Sequence, residues 1–284
     1  MVCVLLTVAC YTISSLGDKH ISSRLQCSPA EFAFIVSFAT MIWIGITIPF
    51  MGWGFRFNVT NILLLLSLTI WKVAEFYTSA LLLKTVSAYE LKAWLGINIV
   101  GSYFYNVFCG IYQADMWIIC CSVILLAGIL MIMKGRRISD SSESSSLGRL
   151  CFLFLLFIVS KFLYGLTLGQ MTQGCRTTSV LLLVMLLTAL LQLPRIQISE
   201  LARRKGMAGA ALTRLPNAAG LILEAFVAME NIFLYAMIQP VQLALLFAAS
   251  LVKKESMGKM KLAGSLLCIF SVCAITVLIY CKKF

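Results

Sequence analysis

The sequence predicts an all-α integral membrane protein of ten transmembrane helices, arranged as two inverted five-helix repeats. Three observations carry that expectation. The first is composition: of 284 residues, 61% are hydrophobic and 12% charged, with a mean hydropathy of +0.97. Soluble domains average about 45–50% apolar and about 25% charged residues, so this chain has too little charge to coat a water-exposed fold. The second is a series of ten long, Leu-rich apolar runs, each near the length of about 20 residues that a bilayer-spanning helix needs. Strands of a membrane barrel would alternate apolar and polar residues instead. The third is the placement of charge, which gathers in alternate loops.

In chain order the apolar segments are 2–20, 29–52, 60–84, 87–110, 114–134, 148–171, 176–194, 214–237, 239–253 and 258–281. The first lacks a basic leading region and a small-x-small cleavage site, so it is expected to be a retained helix and not a signal peptide. The second starts at Ser28-Pro29-Ala30-Glu31, which offers an N-cap Ser, Pro at the first helical position and Glu at the third. Ser87-Ala88-Tyr89-Glu90 repeats the Ser-x-x-Glu capping box at the fourth. Between the fifth and sixth runs a Ser-rich linker, 139–147, divides a first half (1–138) from a second (148–284).

The halves are weakly similar. Pro49 closes the second segment as Pro194 closes the seventh, and Ser87-Ala88-Tyr89-Glu90-Leu91 aligns with Gln239-Pro240-Val241-Gln242-Leu243. Five helices is an odd number, so a duplicated half re-enters the membrane upside down, the plan of many secondary transporters. Loops after the odd-numbered segments hold most of the basic residues, among them Lys19, Arg24, Arg136, Arg137, Arg195, Arg203, Arg204, Lys205, Arg214 and Lys261. The opposite side has Arg56, Arg176, Lys282 and Lys283. The positive-inside rule then places both termini outside the cytoplasm. The formal charge of +12 is thus read as topology, and no nucleic-acid partner is expected.

A few charges fall within or near the apolar segments: Lys72, Lys92 and Lys161, with Glu75, Glu90, Glu224 and Glu230. Uncompensated charge at bilayer depth costs at least about 2.5–3.5 kcal/mol per residue, so these residues should face one another or a watery cavity. Lys72, Glu75 and Ser79 share one face of the third helix, beside Trp71 and Thr78. They form either a local ion pair, since i and i+3 are neighbours, or part of a site. Glu90 either completes its capping box or serves the same site, and Lys92 can snorkel from the helix start. Lys161 is too deep in the sixth segment for easy snorkelling. Glu224 and Asn231 share a face of the eighth, and Lys72 falls opposite Glu224 at the repeat offset of 152, which makes them a candidate pair across the halves. Trp94 and Tyr164, like Tyr77, Tyr103 and Tyr105, either stack on an organic substrate or belong to packing and the interfacial belt. Gln239 and Gln242 flank or follow Pro240, where a broken helix would expose backbone dipoles.

Other chemistry is poorly represented. The eleven cysteines show no Cys-x-x-Cys spacing, and His20 is the sole histidine, so neither a metal site nor a disulfide framework is expected. Gly-rich phosphate loops and nucleophile motifs are absent, no cofactor is expected, and an enzyme is disfavoured.

Three stretches carry a family likeness: Ile13-Ser14-Ser15-Leu16-Gly17-Asp18-Lys19 with Ser28-Pro29-Ala30-Glu31-Phe32; Tyr89-Glu90-Leu91-Lys92-Ala93-Trp94-Leu95-Gly96; and Gln239-Pro240-Val241-Gln242 followed by Lys254-Glu255 and Lys261-Leu262-Ala263-Gly264. On these the chain resembles the EamA-type transporters of the drug/metabolite transporter superfamily. The resemblance implies a basket of two inverted repeats, with the third, fourth, eighth and ninth helices lining a central path. It also implies movement of amino acids, metabolites or drug-like molecules by proton-coupled, exchange or facilitated transport. Many relatives keep both termini in the cytoplasm, the reverse of what the loop charges here predict.

The expected function is therefore a secondary transporter of a small polar or amphipathic metabolite. Its expected partners are that substrate, protons in a coupled cycle and the lipid bilayer, with the chain acting as monomer or homodimer. A plasma membrane, in particular a prokaryotic inner membrane, is the expected location. The expected binding residues are Lys72, Glu75, Ser79, Glu90, Lys92, Trp94, Lys161, Tyr164, Glu224, Asn231, Gln239 and Gln242. A non-transporting scaffold or regulatory subunit is the competing reading, and a membrane-embedded enzyme a more distant one.

Overall fold

A computed structural model describes residues 2–110, 112–139, 147–171, 174–204, 206–230, 238–252 and 258–281. The described chain is helical and contains no strand among those residues. Its helices are α1 (Val2–Lys19), α2 (Pro29–Met51), α3 (Val59–Thr85), α4 (Ala88–Phe108), α5 (Met116–Ser139), α6 (Leu147–Met171), α7 (Thr177–Gln192), α8 (Ile198–Arg203), α9 (Met207–Leu212), α10 (Arg214–Glu230), α11 (Ile238–Val252) and α12 (Lys259–Cys281). Each apolar segment read from the sequence overlaps one of them, the eighth as far as Glu230, beyond which 231–237 lie outside the described residues. The short α8 and α9 are additions, in the basic stretch read as a loop. Seven helical stretches are long and apolar enough to cross a membrane: Val2–Ser22, Pro29–Met51, Val59–Thr85, Met116–Gly135, Gly148–Met171, Thr177–Arg195 and Lys259–Cys281. That is the signature of a helical membrane protein. The linker residues 140–146 lie outside the described residues.

Both expected capping boxes form. Ser28 Oγ accepts from the Glu31 N–H at 3.2 Å while Glu31 Oε2 accepts from the Ser28 N–H at 2.7 Å. At α4 the same exchange joins Ser87 and Glu90, at 3.2 and 3.0 Å. Each box satisfies N–H groups that a helix start leaves without intrahelical partners. Pro49 lies inside the last turn of α2 and does not end it. The stop is Gly52, whose φ of 75° is a conformation that favours glycine. A side chain there would also run into the Arg176 guanidinium.

The chain folds into two compact units that each draw on both halves of the sequence. One comprises Ile13–Thr85 and Phe152–Leu221, the other Met1–Thr12, Val86–Cys151 and Ile222–Phe284. In the first, α2 packs along α7, and α3 packs on both. Ile44, Leu65, Leu68, Tyr164, Val180, Val184 and Ala218 form its core. The end of α1 and the turn that follows it are tied to α3, where Lys19 Nζ donates to the Leu83 carbonyl and Ser22 Oγ to that of Ala80, each at 2.6 Å.

In the second unit α5 packs along α12, α4 packs against α5, α11 and α12, and α11 also touches α12. Small residues allow the α5–α12 approach. A Cβ on Gly264 would lie 2.6 Å from the Gly128 carbonyl oxygen, and one on Gly128 would lie 2.9 Å from the Gly264 oxygen. Close backbone approach through small residues is how helices associate where lipid is as apolar as leucine. Tyr89 crosses from α4 to hydrogen-bond Ser265 on α12.

Candidate functional site

The residues that carry charge into the apolar helices meet in the first unit. Lys72 and Glu75 sit one helical turn apart near the middle of α3, which places them on one face. Lys161 and Tyr164 have the same spacing near the middle of α6. Glu75 is the hub: its Oε2 accepts from Lys72 Nζ at 2.9 Å and its Oε1 from Lys161 Nζ at 2.8 Å. The side chains of Lys72 and Glu75 are each 9% exposed, that of Lys161 35%.

Lys72 is also held by aromatic faces. Its ammonium lies 4.4 Å from the Tyr164 ring centroid and 5.0 Å from that of Phe76, within the range where a ring quadrupole attracts a cation. Buried Ser79 lies one turn beyond Glu75 on the same face of α3. Buried Tyr164 presents a hydroxyl with no hydrogen-bond partner among the described residues. Two lysines on one carboxylate leave the group with a formal charge of +1.

The local-pair reading of Lys72 and Glu75 is thus realised, but as part of a triad that reaches a second helix. Glu224, the partner considered for Lys72 across the halves, has its side chain outside the described residues, and Asn231 lies outside them altogether. The described partner of Lys72 is Glu75.

Glu90 belongs to the other unit. Besides its capping box it reaches α12, where Glu90 Oε1 lies 2.6 Å from Lys261 Nζ. Lys261 was expected among the topological loop charges; here it neutralises a buried acid. Lys92 and Trp94 are half-buried on α4, Gln239 is half-buried on α11 and Gln242 is buried there. The expected binding residues are therefore split: Lys72, Glu75, Ser79, Lys161 and Tyr164 in one unit, and Glu90, Lys92, Trp94, Gln239 and Gln242 in the other.

A second polar cluster escaped sequence reading. Arg214, assigned there to a loop, has a side chain only 1% exposed, and its Nη1 lies 2.7 Å from Asp18 Oδ1. Its Nη2 donates to the Ser14 carbonyl at 2.9 Å, and Ser14 Oγ donates to Asn217 Oδ1 at 3.4 Å. Asp18 and Arg214 stand at the ends of apolar segments, where hydropathy assigns charge to solvent. The fold brings the end of α1 to the start of α10, burying Arg214 and half-burying Asp18. Gln192 is likewise buried and accepts from the Tyr77 hydroxyl at 2.7 Å. Nearer the exterior, Arg204 pairs with Glu31 at 2.8 Å. Burial, then the Glu31 carboxylate, raises the pKa of adjacent Cys27.

No family model matches the chain, and no curated protein matches it.

Proposed function

We propose that this protein is a secondary transporter of a small polar or amphipathic metabolite, working by alternating access in a cell membrane. The observation that carries this reading is the Lys72–Glu75–Lys161 triad at the middle of two helices long enough to span a bilayer. Ionised groups at such depth are costly and mark substrate or ion paths by default. A purely structural pair would be complete with Lys72 and Glu75; the third member adds a charge that packing does not require.

The EamA-like plan of two inverted five-helix repeats belongs to the same proposal. It is supported by which helices adjoin: α2 with α7, α4 with α11, and α5 with α12. In each pair the two helices occupy equivalent places in the two sequence halves, as expected where a repeat meets its mate about a pseudo-two-fold axis. The Arg214–Asp18 cluster and the Glu90–Lys261 pair brace helix ends around that plan.

The test is counterflow of a charge-diverse metabolite panel in proteoliposomes, preceded by a thermal-shift screen of the purified protein. Saturable exchange is expected, with Lys161→Met lowering it at least tenfold while the protein still folds. Absence of every ligand-induced shift and of all flux would favour a scaffold.

A further inference from the structure

Resting on that transporter reading, we infer that the substrate carries a carboxylate, bound by the Lys161 ammonium and the Tyr164 hydroxyl on α6.

The first support is a count of charge. The unit that holds the triad contains the carboxylates of Asp18, Glu31, Glu75 and Glu200. Asp18 pairs with Arg214, Glu31 pairs with Arg204, and Glu200 is exposed on α8. Among the described residues only Glu75 pairs with the two lysines, so one positive charge of the triad has no carboxylate of its own there. A buried charge must be neutralised or hydrated, and a bound monoanion completes the neutralisation. A phosphate dianion would overshoot it.

The second support is a difference between the two lysines. Lys72 is enclosed by Glu75 and the Phe76 and Tyr164 rings, whereas Lys161 keeps a third of its side chain exposed. An ammonium has three donors, and Lys161 uses one on Glu75. The third support is Tyr164 itself: its hydroxyl is buried and makes no hydrogen bond among the described residues, although buried polar groups are rarely left so. It stands one turn from Lys161 on the same helix face. A carboxylate has two oxygens; one can accept from Lys161 and the other from Tyr164. Trp71 and Leu168 pack against the same core and suit an apolar body on the ligand.

Matched carboxylate and amide pairs test this: acetate with acetamide, benzoate with benzamide, and phenylacetate with phenylacetamide, with inorganic phosphate as comparator. Each is assayed by thermal shift on the full chain and then by counterflow. Carboxylates are expected to stabilise the protein and amides are not, with at least tenfold weaker carboxylate binding in Lys161→Met and Tyr164→Phe and retention in Lys161→Arg. Equal responses to acid and amide, a phosphate response exceeding all carboxylates, or a carboxylate response unchanged in Lys161→Met would overturn the inference. A carboxylate response that appears only in Glu224→Gln would overturn the charge count. Transport confined to cations or neutral solutes sinks the carboxylate inference and leaves the transporter reading standing. Carboxylate binding without flux does the reverse.

Discussion

Glu75 answers to two lysines at once, and that makes it the least replaceable residue of the triad. Breaking a buried ion pair by removing one partner costs about 3–5 kcal/mol, because the remaining charge is left uncompensated. Glu75→Gln strands two ammonium groups at mid-helix and should lower the melting temperature in detergent more than Lys161→Met does. Lys161→Met still leaves Lys72 and Glu75 paired at 2.9 Å. Replacing Lys72 and Glu75 together by Met and Leu removes one buried pair, an exchange that is often neutral. It leaves Lys161, a third of whose side chain is exposed, as the single uncompensated cation, so it should recover part of the loss. A double mutant as unstable as Glu75→Gln alone would mean that the pair is not what costs stability. The i,i+3 spacing of Lys72 and Glu75 made their pairing legible in sequence. The arrival of Lys161, on a different helix, was not.

At the scale of helices, α5 and α12 depend on contacts through glycine. Gly128 and Gly264 meet carbonyl to Cα, and Gly135 passes Lys261 with a virtual Cβ 2.9 Å from its backbone nitrogen. These neighbours are backbone atoms, so a side chain here cannot be absorbed by a rotamer change. Gly264→Leu should separate the helices and cost on the order of 1–3 kcal/mol or more, as overpacking does. It should also weaken the Tyr89–Ser265 and Glu90–Lys261 links between α4 and α12. The measurement is thermal stability alongside crosslinking of α5 to α12; an unchanged melting temperature would rule out tight backbone packing. By contrast, the capping boxes at Ser28 and Ser87 were visible in the sequence because each is complete within four residues.

At the scale of the whole molecule, loop charges predict that both termini lie outside the cytoplasm. A C-terminal alkaline phosphatase fusion should then be active and a fluorescent protein fusion dark; the opposite pattern would reverse the topology. Among the basic residues used in that reading, Arg214 and Lys261 neutralise Asp18 and the buried Glu90, and Arg204 pairs with Glu31 nearer the exterior. The other basic residues of the odd-numbered loops, the exposed Arg195, Arg203 and Arg204 among them, keep the bias in the same sense. The compact units do not follow the linker at 139–147. Each gathers helices from both halves, so the two sequence halves are not two separately packed bodies.

The long apolar helices were legible from the chain, short α8 and α9 were not, and what was legible had local causes. A run of apolar residues answers to bilayer thickness, a Ser-x-x-Glu start satisfies its own N–H groups, and a scarcity of charge excludes a soluble fold. Which charges meet was decided only in three dimensions. Lys161 reaches Glu75 across 86 positions and Arg214 reaches Ser14 across 200. Periodicity specifies which face of a helix a side chain occupies, but not which other face is packed against it. The expected set of binding residues was therefore divided by the fold, and Arg214, dismissed as a loop charge, became one of its most buried side chains.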